Sequence, residues 1–239
     1  MTINADRILL ESCQQNSPKQ NKALRMDPEL ARKIFGIVFD KELLEGYYFW
    51  DNTTVSMKSP LIDFTRKSMR ILEVGTGPSA TLSRFLAKNV DGLEITSSDI
   101  NEKFLKSSLQ YETGTYRSNI KFLHSNLFND INDTFDLVFM NPPYVPAKDL
   151  RSMGIVDSTS EYLAGFGGEN GSEIVLSFLR QCVNFIRDTS VVVLGINNRY
   201  LSDLMVLDLI DSSNLKLVKK YYKPSESPPF SQCYILSLI

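Results

Sequence analysis

Phe135-Asp136-Leu137-Val138-Phe139-Met140-Asn141-Pro142-Pro143-Tyr144-Val145 is the stretch from which the rest of the chain can be read. Phe135 to Met140 is an apolar β-type run, so Asn141 stands where a buried strand spills into a loop. Two consecutive prolines remove two backbone donors and forbid helix directly afterwards. Asn141 is thereby held beside carbonyls that can only accept hydrogen bonds. A planar NH₂ group has two hydrogens to donate and a delocalised, poorly nucleophilic lone pair. The Asn141 side-chain oxygen and the Pro142 carbonyl suit both hydrogens, which would aim that lone pair at an electrophile. Tyr144 offers an aromatic face to the flat group that carries the nitrogen. The constellation suits methylation of an amide or an aromatic amine. Taken alone, the same residues also suit a Pro-rich strand-to-loop turn with no chemistry.

Working outward, strands and helices alternate. Met69 to Val74 reads as a strand, Gly75-Thr76-Gly77-Pro78-Ser79 as a tight turn, and Thr81 to Lys88 as a helix with Leu82, Phe85 and Leu86 on one face. Gly92 to Ser98 is a second strand closing at Asp99. Asn101 to Glu112 is a helix and Asn119 to His124 a third strand. After the fourth strand, at Phe135–Met140, a glycine-rich loop (Gly165 to Gly171) leads to a helix from Ser172 to about Arg187. Ser190 to Ile196 is a fifth strand and Tyr200 to Ile210 a helix. Leu215 to Tyr222 and Cys233 to Leu238 close the chain around a Pro/Ser turn at Pro224–Pro229. The pattern predicts an α/β, Rossmann-like, seven-stranded and mostly parallel sheet with helices on both faces. The last turn is too short for a crossover helix, so the last strand is expected to be antiparallel.

In such a sheet ligands bind at the carboxyl ends of the strands. Glu73-Val74-Gly75-Thr76-Gly77 sits there, with two glycines that admit a ligand and Glu73 as a nearby anion. A nicotinamide site wants a third glycine to seat a pyrophosphate, and that position is Ala80. A carboxylate before the first glycine and no phosphate-seeking Lys fit a cofactor without phosphates, such as S-adenosylmethionine. Asp99, at the end of the second strand, is placed to accept both ribose hydroxyls. Asn126 ends the third strand, where an amide can meet adenine.

Leu72 to Val145 resembles the class I S-adenosylmethionine-dependent methyltransferases, in the amino-methylating branch marked by Asn/Asp-Pro-Pro-Tyr/Phe. That branch joins HemK-type glutamine methyltransferases of translation release factors to adenine-N6 methyltransferases of RNA or DNA. The resemblance implies a cofactor site of Glu73, Gly75, Thr76, Gly77, Asp99, Ile100, Asn126, Leu127 and Asn141. It makes Asn141, Pro142 and Tyr144 catalytic, and sets Pro143, Tyr144 and Gly168 against the substrate. Gly167-Gly168-Glu169-Asn170-Gly171 is similar to the Gly-Gly-x-Asp/Asn-Gly segment of the HemK type. Three departures stand beside this. Asn126 replaces the usual adenine-contacting acid. Val55-Ser56-Met57-Lys58-Ser59-Pro60 stands where bacterial glutamine methyltransferases carry Pro-Arg-Pro-x-Thr. Gly-Pro-Ser-Ala after Thr76 is similar to the ribosomal-RNA adenine-N6 enzymes. The resemblance implies a glutamine amide of a translation factor as the preferred substrate, with N6 of adenine in RNA as the alternative. A non-catalytic, cofactor-binding scaffold subunit is the alternative of another class, and a small activating protein subunit is an open partner.

The 239 residues, 43% hydrophobic and 23% charged, suit one α/β domain with an N-terminal extension or two small lobes. We divide them into a helical N-terminal region (1–58), a candidate substrate lobe, and a catalytic domain (59–239). A formal charge of −2 gives no global basic field for nucleic acid. Cys13, Cys182 and Cys233 are odd in number and far apart, which suits reduced thiols in a cytoplasmic protein and neither a disulfide scaffold nor a metal site. No apolar run reaches the ~18 residues of a membrane span, and no signal peptide opens the chain. In the N-terminal region Ala5 to Cys13 has helical spacing, and Asp27-Pro28-Glu29 is a helix start with Asp27 as N-cap. Lys19, Lys22, Arg25, Arg32 and Lys33 read as a solvated helix face, with substrate gripping as the alternative. Gly46 to Trp50 is an aromatic cluster of local core that also suits the mouth of the site. β-prone Thr53-Thr54-Val55 follows, and Ser59-Pro60 reads as the start of a helix running to Arg66. His124, the only histidine, reads as structural, Cys182 as core, and Asn197-Asn198 as a turn and helix cap. Phe230 and Tyr234 read as core or substrate rim, with core favoured.

Overall fold

The computed structural model describes residues 27–39, 50–112, 119–157, 159–222 and 230–239. Helix α1 (Pro28–Phe35) is capped by Asp27, whose Oδ1 accepts from the Glu29 and Leu30 amides, and Pro28 occupies its first turn. Helix α2 (Asn52–Phe64) follows, and then the sheet begins: β1 (Arg70–Val74), α3 (Thr81–Asn89), β2 (Glu94–Asp99), α4 (Glu102–Glu112), β3 (Ile120–His124) and β4 (Phe135–Met140). Two short helices, α5 (Ala147–Ser152) and α6 (Ser160–Gly165), lead to α7 (Glu173–Cys182). The chain closes with β5 (Ile186–Asn197), α8 (Asp203–Asp211), β6 (Leu215–Tyr222) and β7 (Ser231–Leu238).

The seven strands lie in the order β3-β2-β1-β4-β5-β7-β6. All pairings are parallel except those of β7, which runs antiparallel to both β5 and β6. The fold is the one the alternation of strands and helices predicts. Strand order reverses between β1 and β4, so their carboxyl ends, with Val74 beside Met140, frame the crevice where such sheets bind ligands.

Both faces of the central strands are buried, as a covered parallel sheet requires. Ile71, Leu137, Phe139, Val193 and Ile235 point into a core shared with α1, α2 and α3. Their neighbours Leu72, Val138, Met140, Val192, Leu194 and Tyr234 point the other way, onto α7 and α8. This strict two-residue alternation fixes the register, because a slip of one residue would reverse every side chain.

Four local expectations are corrected. Thr53-Thr54-Val55 is helical, and α2 starts at Asn52 rather than at Ser59. The reason is a reciprocal capping box: Asp51 Oδ1 accepts from the Thr54 amide at 2.6 Å, and Thr54 Oγ1 accepts from the Asp51 amide at 3.2 Å. Pro60 lies inside the helix, tolerated because the buried residues Val55, Met57 and Leu61 hold α2 against the sheet. The helix expected to reach Arg187 ends at Cys182 in a short 3₁₀ turn, Val183–Phe185. Ile186 already pairs with Phe135, residues 187–190 bulge, and Ser190 Oγ ties the bulge down by accepting from the Arg187 amide and donating to the Phe135 carbonyl. Finally, α8 begins at Asp203 with Ser202 as its cap, so Asn198 makes a turn and not the helix cap. The expected helix at residues 5–13, Lys19, Lys22, Arg25, Cys13, residues 46–49 of the aromatic cluster and the turn at 224–229 lie outside the described residues. Among the described residues no helix is long and apolar enough to cross a membrane.

Candidate active site

The glycine turn after β1 is built by backbone geometry. Gly75 and Gly77 have φ of 71° and 69°, in the left-handed region that favours glycine. Ser98 of β2 accepts from the Thr76 amide at 2.9 Å, and Asp99 Oδ2 accepts from the Gly77 amide at 2.8 Å. Asp99 Oδ1 accepts from the Asn101 amide at 2.8 Å. The Ile100 amide favours the anion as well, so three backbone donors hold this carboxylate at the turn. Burial raises its pKa above the ordinary carboxylate range, against the backbone donors that favour the anion.

Glu73 lies beneath the same turn. Its Oε2 accepts from Thr76 Oγ1 at 2.7 Å and from Ser83 Oγ at 2.5 Å, and Ser83 Oγ also meets Ser97 Oγ at 2.7 Å. The carboxylate therefore links the end of β1 to its turn, to α3 and to β2. Burial pushes its pKa up to about 7, partly opposed by the Ser83 and Thr76 hydroxyls.

The turn borders open space. A Cβ built on Gly77 would meet nothing within 4 Å, so its glycine is demanded by φ alone, while one on Gly75 would touch the Met140 methyl at 3.5 Å. Asp99, bonded to the turn, is followed at the end of β2 by Ile100, exposed to 54%, and Asn126, also exposed, follows the end of β3. Leu127 follows with a φ of 51°. A carboxylate, an exposed apolar side chain and an amide at successive strand ends are a donor set that would fit an adenosine group without phosphates. His124 Nε2 lies 3.0 Å from the Ile100 carbonyl, a structural contact.

The motif after β4 meets a partner that sequence reasoning missed. Asn141 Nδ2 donates to Asp51 Oδ1 and to Thr54 Oγ1, each at 3.2 Å, across a separation of about ninety residues. Its Oδ1 is buried with no hydrogen-bond partner among the described residues. A buried acceptor left so costs about 1–3 kcal/mol until a donor arrives. Tyr144 is buried as well. Its hydroxyl sits 2.9 Å from Thr53 Oγ1 and donates to Asp51 Oδ2 at 3.4 Å, and its ring stacks on Tyr200 at 6.2 Å between centroids. Tyr200 was not singled out from sequence. Pro142 is buried and Pro143 half-buried beside them.

The glycine-rich loop braces this motif from behind. Val145 bridges to Phe166: the Val145 amide donates to the Gly165 carbonyl, and the Gly167 amide donates to the Val145 carbonyl. Gly168 accepts from the Ala147 amide at 3.1 Å. A Cβ on Gly167 would lie 2.6 Å from the Tyr144 Cα, and one on Gly171 2.5 Å from the Tyr144 carbonyl. Gly167 and Gly171 thus pack against the backbone of Tyr144, while Gly168 holds the chain beyond it at Ala147.

Other candidates fall elsewhere. Arg32 and Lys33 are exposed on α1, and Arg32 pairs with Glu29 at 3.0 Å. That helix is held by Lys58 of α2 on the Ile34 carbonyl and by Lys88, at the end of α3 away from the site, on the Gly36 carbonyl. Trp50 is core, tilted against Phe35. Tyr234 is core, with its hydroxyl donating to Asp203 at 2.6 Å, while Phe230 is half-buried with Arg199 over its ring. Burial pushes the Cys182 and Cys233 thiols up to about 12, which makes them inert. No cluster of metal-ligating side chains occurs among the described residues.

A reversed parallel sheet with a glycine turn on β1, an acid ending β2 and Asn-Pro-Pro-Tyr ending β4 defines a methyltransferase fold. The solved structure of a methyltransferase from Pyrococcus furiosus matches it with a TM-score of 0.63 at 17% identity, over 93% of this chain and 98% of that one. The chain belongs to the family described as Eco57I restriction-modification methylase, which matches residues 50–223. The release factor glutamine methyltransferase of Lactococcus lactis is 28% identical over 139 residues, 57% of this chain and 50% of the relative. That of Streptococcus pneumoniae is 29% identical over 131 residues, 54% of this chain and 46% of the relative. The chain spans about half the length of these curated relatives.

Proposed function

We propose that the chain is an S-adenosylmethionine-dependent N-methyltransferase that methylates a glutamine side-chain amide of a translation release factor. The observation that carries this is Asn141, whose amide nitrogen is tied to two acceptors while its buried Oδ1 has no donor among the described residues. A planar NH₂ supplies that donor, and its nitrogen is then fixed at the crevice mouth. S-adenosylmethionine bound there supplies an electrophilic methyl group on a sulfonium. Asp99 and Asn126 would hold the adenosine end, the Gly75–Gly77 turn its tail. The remaining tasks of the chain are orientation and exclusion of water, since an activated methyl needs no obligatory base. Substrate assignment to glutamine is supported by the two release factor methyltransferase relatives.

N6 of adenine is the second reading, favoured by the restriction-modification methylase name of the matching family. Residues 1–58 are proposed as a substrate lobe ahead of the catalytic domain at 59–239, although α2 runs across that division. A small activating protein subunit would be detected by co-purification. The test is transfer of a tritiated methyl group to a purified release factor and, separately, to total RNA. Label in the protein, released as methylamine by acid hydrolysis, is expected. Label freed by ribonuclease and untouched by protease would replace glutamine with adenine.

A further inference from the structure

We infer that Asp51, assisted by Thr54, is the positioning residue that sets the polarity of the Asn141 amide. The inference rests on the reading of Asn141 as the substrate clamp. An asparagine amide can rotate by half a turn and exchange oxygen for nitrogen with little change in shape. Only its neighbours decide which atom faces the reactant.

Here the decision is chemical. Asp51 Oδ1 is an acceptor and nothing else while ionised. Thr54 Oγ1 uses its hydrogen on Asp51 Oδ1 at 2.7 Å, so towards Asn141 it too can only accept. Two acceptors on one side hold Nδ2 there and leave Oδ1 on the other. A flipped amide would set an oxygen against two oxygens. The second carboxylate oxygen, Oδ2, receives the Tyr144 hydroxyl, so one side chain fixes both polar groups of the motif.

The distance is set by a glycine in the neighbouring strand. A Cβ on Gly195 of β5 would lie 2.5 Å from Met57 Sδ and 2.9 Å from Thr53 Cγ2, so α2 rests directly on the β5 backbone. That close approach brings the first turn of α2 against the end of β4. The consequence for specificity is that the reacting group must donate to Oδ1. A primary amide or aromatic amine does so, and a carbonyl or thioether does not.

Asp51→Ser separates this role from helix capping, because serine caps as well as aspartate but is too short to reach Asn141. Asp51→Asn keeps the reach and an acceptor while removing the charge. Two readouts apply. In nuclear magnetic resonance of the cofactor-loaded protein, the Asn141 side-chain NH₂ protons should be protected from exchange in the wild type and in Asp51→Asn, and lose that protection in Asp51→Ser. With the purified release factor as methyl acceptor, Asp51→Ser should lower kcat by tenfold or more with cofactor affinity within about threefold, and Asp51→Asn should retain most of the turnover. Unchanged Asn141 protection in Asp51→Ser, unchanged kcat, or an equal loss in Asp51→Asn would each overturn the inference. If the wild type labels no release factor, the glutamine reading fails, and the resonance experiment alone decides the role of Asp51.

Discussion

Replacing Glu73 with glutamine should flatten the pH dependence of stability. The carboxyl is 5% exposed, and both hydroxyl donors, Thr76 and Ser83, end on its Oε2. Burial moves its pKa from 4.5 to about 7. Between those values the folded chain holds a proton that the unfolded chain has released. The unfolded state then binds fewer protons, so stability falls as pH rises through the window. At about 1.4 kcal/mol per pH unit, the displacement amounts to roughly 3 kcal/mol. Asp99, also raised, acts with the same sign. Glutamine keeps an acceptor in place of Oε2 and carries no proton to lose. Urea unfolding of both proteins at about pH 5 and about pH 8 measures the difference. The wild type should lose roughly 3 kcal/mol more than Glu73→Gln across the interval. Parallel pH profiles would refute the argument that desolvation, rather than the surrounding hydroxyls, sets the state of this group.

The cofactor half and the motif half should separate in mutants. Asp99→Ala is expected to weaken S-adenosylmethionine binding by about tenfold or more, since a charged acceptor is worth about 1.5–3 kcal/mol. Asn141→Ala should leave that affinity within about threefold and lower kcat by about 100-fold; equal loss of affinity in both, by calorimetry, counts against the division. Gly167→Ala sets a methyl group 2.6 Å from the Tyr144 backbone and should cost about 1–3 kcal/mol, with turnover falling further as the motif shifts; a thermal melt and a methyl-transfer assay on the same sample check both. Cofactor binding should release protons near neutral pH, because a cation beside the raised carboxyls Glu73 and Asp99 favours their anions. Calorimetry in two buffers of different ionisation enthalpy reads the number, and none released would remove the carboxyls from the ligand's field. Binding of a release factor should fall little with salt, whereas an RNA substrate would give a steep slope.

The sheet was legible because its signals are local and repeat. Alternation in Leu137-Val138-Phe139-Met140 gives two buried faces, and the short turn before β7 gives its direction. The glycine turn was legible because φ near 70° at Gly75 and Gly77 is a property of the residue itself. Boundaries read less well where long-range contacts override propensity. Thr53-Thr54-Val55 has β-branched side chains, yet packing on the sheet and the Asp51 cap make it helix. Ile186 joins β5 early because it finds Phe135, a partner fifty residues back in the chain.

The active site divides in the same way. Glu73 and Asp99 could be placed at strand ends from spacing, but not their orientation. Glu73 faces Thr76 and Ser83, so its influence on a ligand is exerted through the turn it holds and through its charge. Gly168 reads from sequence as a substrate contact; its carbonyl accepts from the Ala147 amide, while Gly167 and Gly171 support Tyr144. The partner of Asn141 was hardest to see. Asp51 carries one local signal, a capping pattern with Thr54, and that signal speaks only of a helix start. Its second role appears when β5 presents a glycine to α2 and lets the helix come close enough for the cap to reach β4. One carboxylate oxygen then serves the helix and the Asn141 amide together, so the start of α2 cannot shift without moving Asn141. The start of α2 is thereby tied to the end of β4 by a hydrogen bond rather than by proximity alone.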